Sequence, residues 1–324
     1  MPMSQDSHSG QRVQFTPFQR FLGSRLVTGV GMFFSKYLPP LIGYAIANII
    51  AGLINWLKPD VYWIVHDNLY QVVGPEVDEK ELHRLVHQVF HNNARNNYDL
   101  WHLVSRGQEA LRTAIHIPPD AWTHIEQARK RGKGAIIVGT HTGNFDLAIL
   151  TLAAHRPEIQ VLGLAAPPAG GFDLMDRMRA RAGVHLTSIN VQALREAINR
   201  LHAGGFVLTG VDRPVGGVEQ PVEPSPLVGG SQRGVQFFGR PAALPTGHVR
   251  LALKTDAVIL VAGPHRDPQK GNMVYLSPPL EMVRTSDPDE DLHINLRRVT
   301  IWLEEFIRAW PEQWAMFVPV WPGE

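Results

Sequence analysis

Near Gly132 the texture of the chain changes, and that change constrains the fold more than any other feature of its 324 residues. Downstream, short β-branched runs alternate with helical stretches, beginning with Ala135-Ile136-Ile137-Val138-Gly139-Thr140. Such alternation belongs to α/β domains, where strands form a largely parallel sheet and helices cover its faces. Further strands are expected at 160–164, 185–189, 206–211, 258–262 and 273–276, with helices near 144–155, 171–182, 191–203, 246–254 and 292–309. Upstream the chain is mainly helical: residues 17–57 read as two or three apolar helices, and 77–106 as a longer amphipathic one with Leu82, Leu85, Val86 and Val89 on one side. The polar, aperiodic stretch 1–14 reads as a disordered lead-in.

The N-terminal region is basic and oily together. Before Val61 there are five basic residues (Arg12, Arg20, Arg25, Lys36, Lys58) and two acidic ones, Asp6 and Asp60, among many Phe, Leu and Ile. That combination suits a segment lying against anionic lipid, so 15–60 is expected to hold membrane-associating helices and 61–324 the body of the protein. Between Lys36 and Lys58 no residue is charged, and a helix of that length reaches about 30 Å, the thickness of the hydrocarbon layer. A true span is therefore open as well, although Pro39, Pro40, Gly43, Asn48, Gly52 and Asn55 dilute its apolar character. A cleaved secretory signal is not expected, because the apolar run begins far from Met1.

Composition closes several routes. With 31 basic and 30 acidic residues the chain has no global field that would draw nucleic acid. It has no cysteine, which excludes disulfides, thiolate metal sites and a cysteine nucleophile and fits a reducing compartment. His83, His87 and His91 are spaced to share a helix face, but no ordered carboxylate completes a metal set with them, and no metal or cofactor is expected.

The string that carries chemistry is Gly139-Thr140-His141-Thr142-Gly143-Asn144-Phe145-Asp146, which follows an apolar strand and opens an apolar helix. His141 would hang from the strand end, and Asp146, five residues on, can return its carboxylate to the imidazole. An aspartate on one ring nitrogen fixes the tautomer and leaves the other free to take a proton from a hydroxyl. Backbone N–H groups around Gly143 and Asn144 are candidate donors to an oxyanion. A buried pair without chemistry is the competing reading of the same residues. No G-x-S-x-G elbow is present, so a serine hydrolase is not indicated.

Ordered blocks extend this string into a resemblance that runs from about residue 15 to residue 322. His141-Thr-Gly-Asn-Phe-Asp146 resembles the H-x-G-N-[WF]-[ED] block of the bacterial lipid A biosynthesis lauroyl/myristoyl acyltransferases, within the lysophospholipid acyltransferase superfamily. Asp67-Asn68-Leu69, Arg179-Ala-Arg-Ala-Gly183-Val, the strand ending at Asp212, Val235-Gln-Phe-Phe-Gly239-Arg-Pro-Ala-Ala243 with Thr246-Gly247, and Pro311-Glu312-Gln313-Trp314 resemble the family's other blocks in order. The resemblance implies an α/β/α acyltransferase core over 61–324 with His141 as base and Asp146 as its acidic partner. It implies transfer of a fatty acyl group from acyl-CoA or acyl carrier protein to a hydroxyl of a membrane glycolipid or phospholipid. It places the chain on the cytoplasmic face of the inner membrane, peripheral or monotopic. Asp146 stands where lipid A enzymes carry Glu, a trait shared with phosphatidylinositol mannoside acyltransferases and the glycerolipid branch, which turns the expected acceptor away from lipid A. Readings of another class are a catalytically silent lipid-binding scaffold and an acyl-thioester hydrolase.

Around this core, Arg177, Arg179 and Arg181 precede Gly183, and an arginine fork at Arg179 suits a phosphate of acceptor or donor, or else a solvated helix face. Asp212 and Arg213, at a strand end, are expected to line the substrate site. The Pro- and Gly-rich segment 213–234 that follows is either a lid or a surface insertion. Trp302, Trp310, Trp314 and Trp321 are read as core residues in preference to lipid contacts.

Overall fold

The computed structural model describes residues 16–155, 159–163, 170–184, 186–214 and 235–321. The lead-in at 1–14 and nearly all of segment 213–234 lie outside the described residues.

Three helices open the described chain: α1 (Pro17–Leu22), α2 (Arg25–Tyr37) and α3 (Pro40–Leu57). Their starts are set locally. Thr16 and Gln19 form a reciprocal capping box on α1, Ser24 caps α2, and Pro40 sits in the first turn of α3, where its missing N–H costs nothing. Then come α4 (Asp60–Val73) and α5 (Glu79–Ser105), the longest helix, followed by α6 (Gln108–Arg112) and α7 (Pro119–Lys130).

The α3 helix packs along α5 through a stripe of Gly43, Ala47, Ala51 and Ile54, small enough to bring the backbones close. Polar contacts fix it over much of its length. Tyr44 donates to Asp99 (2.6 Å), which also pairs with Arg266 (2.9 Å), and Asn48 accepts from Arg95 (3.0 Å). The opposite face is bare: Leu41 is 83% exposed, Ile49 71% and Trp56 78%. From α2, Leu26 and Phe33 add to the exposed apolar surface.

The second half alternates as expected. β1 (Ala135–Gly139), α8 (Phe145–His155), β2 (Ile159–Gly163), α9 (Gly170–Arg181), β3 (Leu186–Ser188), α10 (Val191–His202) and β4 (Phe206–Gly210) lead to a hairpin, β5 (Val235–Phe237) and β6 (Arg240–Ala242). After it come α11 (Gly247–Thr255), β7 (Val258–Asp267), β8 (Gly271–Leu276), α12 (Pro288–Ala309) and a 3-10 turn, Pro311–Gln313. The main sheet runs β3-β2-β4-β1-β7-β8, parallel except for the last pair.

Alternation along the strands divides the core in two. Ile136 and Val138 of β1, with Ile259 and Val261 of β7, join the layer that includes Leu303 and Phe306 of α12. Ala135 and Ile137, with Leu260, face the other way onto Leu147 and Leu150 of α8 and Leu100 of α5. A parallel strand buried on both faces must be apolar throughout, which is why β1 reads as a continuous run. Each of its Ile and Val side chains contributes about 1.5–3 kcal/mol by leaving water. No expected element corresponds to α4, α6, α7 or the hairpin. The strand expected at 258–262 stops where the apolar run stops, whereas β7 continues to Asp267 by antiparallel pairing with β8.

The chain leaves β1 and re-enters the sheet at β2, with β4 between them. The carboxyl ends of the strands are where a parallel α/β sheet gathers its functional groups.

Candidate active site

β1 and β4 pair in register with Gly139 opposite Gly210, and each strand delivers one functional side chain two residues later: His141 and Asp212. His141 Nδ1–H donates to Asp212 Oδ1 (2.6 Å), and its backbone N–H donates to Asp212 Oδ2 (2.8 Å). The indole N–H of Trp314 reaches the same Oδ2 (2.8 Å).

Asp212 is fully buried, and a buried carboxylate persists as an anion only if it is paired and hydrogen-bonded. Burial alone would raise its pKa; the bonds from the His141 ring and backbone and from Trp314, with the charge the imidazole carries once protonated, outweigh burial and hold it below the ordinary aspartate value. Because a carboxylate only accepts, it keeps the imidazole proton on Nδ1. Nε2 is left with a lone pair and without a hydrogen-bond partner among the described residues, on a side chain 26% exposed. The ring lies over Gly210, where an added Cβ would come 2.8 Å from Cε1, and Phe145 meets it edge-on at 4.8 Å.

Asp146 was expected at that ring nitrogen, and the structure gives the place to Asp212. In the first turn of α8, Asp146 instead takes a forked pair from Arg179 of α9: Nε and Nη2 donate to Oδ1 (3.0 and 2.8 Å), and Nη2 also to Oδ2 (3.0 Å). Arg179 Nη1 donates to Asp176 (2.8 Å). The nearby charge of Asp146 raises the Arg179 pKa. A guanidinium engaged by two carboxylates is not the open phosphate fork that the sequence suggested; it ties α9 to the start of α8.

Gly143 and Asn144, expected on the substrate, are both engaged in building the turn. Gly143 adopts a left-handed backbone (φ 50°), where an added Cβ would lie 2.6 Å from His265 Cα. Its N–H donates to the Gln313 carbonyl (3.0 Å), so it is not the oxyanion donor expected there, and its own carbonyl accepts from Asn96 (2.8 Å). The Asn144 amide returns to the Asn96 carbonyl (2.9 Å), and its oxygen accepts from the Leu147 N–H (3.3 Å) at the start of α8. Arg213 is half-buried beside Asp212 in the chain; burial pushes its pKa down against the pull of that carboxylate.

The histidine loop is held by contacts that the sequence does not reveal. Ala315 N–H donates to the His141 carbonyl (2.8 Å), and Thr142 bridges to Trp314, so the Pro-Glu-Gln-Trp block is zippered to the histidine loop. Gln313 clasps the Arg266 backbone through both ends of its amide (2.7 and 3.0 Å). Asn68 donates to the Met316 and Val318 carbonyls and accepts from Val320 N–H, which anchors the segment that follows. The ordered blocks around these residues were a signal, but not of which atoms meet.

A parallel α/β sheet clad by helices, with a His-x4-Asp turn at the end of its first strand, places the chain among the acyltransferases. More particularly, it belongs to the bacterial lipid A biosynthesis acyltransferase family, whose model matches residues 18–322. It is thus an acyltransferase of lipid biosynthesis. No curated protein matches the chain.

Proposed function

We propose that the protein transfers a fatty acyl group from acyl-CoA or acyl carrier protein to a hydroxyl of a membrane glycolipid or phospholipid, with His141 as general base. The observation that carries this reading is the bond from His141 Nδ1 to buried Asp212, which leaves the Nε2 lone pair open on a part-exposed side chain. Nε2 takes the proton of the acceptor hydroxyl as the oxygen attacks the thioester carbonyl, and Asp212 offsets the charge of the imidazolium. The imidazolium later returns that proton to the departing thiolate as the C–S bond breaks. A positioned base of this kind contributes on the order of 10²–10⁴ in rate. The N–H groups of Phe145 and Asp146, at the start of α8, have no acceptor among the described residues and suit a developing oxyanion. Asp146 acts through Arg179, holding the α8 start in place, and the chemistry uses no metal or cofactor.

The enzyme works as a monotopic protein on the cytoplasmic leaflet. Support comes from α3, the one helix among the described residues long and apolar enough to cross a bilayer. Because one side of α3 is bonded to α5, only its other face is free for lipid, which favours lying in the interface over crossing it. Arg20, Arg25, Lys36 and Lys58 flank that surface with positive charge for anionic headgroups.

The test is transfer of labelled acyl chains from each donor to extracted membrane lipids by the wild type and by His141→Ala. Ester product that disappears in the variant, with folding and vesicle binding retained, supports the proposal; undiminished product sinks it. Release of free fatty acid without ester would mean hydrolysis. Lipid mass spectrometry of a deletion strain then identifies chain length and acceptor together.

A further inference from the structure

Away from His141 and Asp212, the junction of α4 and α5 gathers two histidines and a glutamate. His66 Nε2 lies 3.3 Å from Glu79 Oε1, and His83 Nε2 lies 3.2 Å from the same oxygen. The ligating atoms of all three residues fall within 4.8 Å of one another. We propose that His66, Glu79 and His83 form a binding site for a zinc-class divalent ion that staples α4 to α5.

The outer partners orient both rings for this. His66 Nδ1 faces Asp67 Oδ1 at 3.0 Å, and His83 Nδ1 faces the Tyr62 hydroxyl at 2.7 Å. Each imidazole is thus held through Nδ1 with Nε2 turned inward, the arrangement by which ligating histidines are fixed in tautomer and direction.

The chemistry at His66 is the sharper argument. Its ring stands between two carboxylates, Asp67 on one nitrogen and Glu79 on the other, and carboxylates only accept. A neutral ring with its proton on Nδ1 turns a lone pair toward the lone pairs of Glu79. Something positive belongs between them. A cation bound by both imidazoles and the carboxylate resolves the conflict between His66 and Glu79 and draws on the His83 ring as well.

Size and donor type select the ion. Zinc bonds of 2.0–2.2 Å in a tetrahedron put neighbouring donors about 3.3–3.5 Å apart. The separations of 3.3 and 3.2 Å to Glu79 are close to that edge. Two imidazoles with one carboxylate suit zinc or its transition neighbours, not magnesium or calcium, which want oxygen throughout. Three protein donors leave a fourth position for water. His87 and His91 do not take part: their rings meet each other, tilted by 51° with centroids 4.3 Å apart, and His91 bonds Asn48 of α3 (3.1 Å).

The test uses the untagged full chain, stripped with chelator and titrated with cobalt(II), followed by visible absorption and by displacement with zinc. One equivalent giving the intense bands of a four-coordinate site, displaced by zinc, is expected. Glu79→Gln, which keeps the side-chain shape, should abolish the bands, as should His66→Ala. Asp67→Ala should weaken binding about 10–100-fold. His87→Ala/His91→Ala should bind as the wild type does, and zinc should raise the thermal midpoint of the wild type but not of Glu79→Gln. Absence of a stoichiometric site, binding that survives Glu79→Gln, or binding lost only in the His87/His91 variant would each overturn the proposal. In the first case the cluster holds a proton and no metal.

Discussion

His141 and Asp212 occupy equivalent positions on neighbouring parallel strands, each two residues beyond a paired glycine, and they meet at 2.6 Å. Parallel neighbours in register bring equivalent positions side by side, at a strand spacing of about 4.8 Å. Sheet pairing therefore sets the dyad, whereas the partner expected from sequence lay five residues away on the following helix.

This relationship ranks two carboxylates. Asp212→Asn keeps the shape but cannot accept at every contact, since one amide end donates; the imidazole would then shift its proton to Nε2 or lose its anchor. Turnover should fall on the order of 10²–10⁴-fold with KM little changed. Asp146→Asn acts only through Arg179, a matter of positioning, and should cost less. Steady-state kinetics of the two variants decide; a greater loss of kcat in Asp146→Asn would return the orienting role to that residue.

Membrane attachment is predicted to depend on the bare face of α3. Each exposed aliphatic side chain there gains about 1.5–3 kcal/mol on entering lipid, roughly tenfold or more in partitioning. Leu41→Asp with Ile49→Asp changes residues 83% and 71% exposed, so the fold should be spared while sedimentation with anionic vesicles drops at least about 10²-fold. The cysteine-free chain also permits single-site labelling. Leu41→Cys and Trp56→Cys should be shielded from the same side of the membrane, and labelling from opposite sides would establish a span.

A buried histidine should make stability depend on pH. His248 in α11 is buried, neither ring nitrogen has a hydrogen-bond partner among the described residues, and burial pushes its pKa from 6.5 down to about 4. The unfolded chain takes up this proton near 6.5 and the folded one only near 4, so the stability it contributes is whole above 6.5 and is lost as pH falls toward 4. At about 1.36 kcal/mol per unit the loss is about 3 kcal/mol. His248→Met removes the titrating group. Denaturant unfolding of both proteins near neutrality and near pH 4 should show the steeper decline in the wild type; parallel declines would mean that His248 does not carry it.

What was legible in the sequence divides along physical lines. Ala135–Gly139 and the later strands could be read because a strand covered on both faces must be apolar, and α5 because its apolar residues repeat with the helical period. The hairpin of β5 and β6 could not: three-residue strands around Phe238 and Gly239 carry too little pattern. At the site, His141 was legible from its turn and its context. Its partner was not, because Asp212 lies 71 residues away and only the register of β1 with β4 brings it near. Trp314 is a similar case: read as a core residue, it is indeed buried, yet its one polar atom serves the dyad. Arg179 and Asp146 were both singled out, but nothing in their spacing said that each would occupy the other.

The most economical probe of the dyad is Gly210. The backbone there runs directly beneath the imidazole, and a Cβ would stand 2.8 Å from His141 Cε1 and 3.3 Å from Nε2. Contacts of that length cannot persist, so in Gly210→Ala either the ring tilts off Asp212 or β4 slides against β1. The strand is bonded on both sides, to β1 and β2, and the ring is 26% exposed, so the ring is the softer of the two. Misplacement of a reacting group by about 1 Å can cost on the order of 10²-fold in rate. The variant should therefore keep a near-native thermal midpoint while kcat falls by about that factor. NMR of the imidazole protons should show the bonded Nδ1–H signal shifted or broadened. Full activity in a folded Gly210→Ala protein would mean that the histidine does not work from the position against this strand.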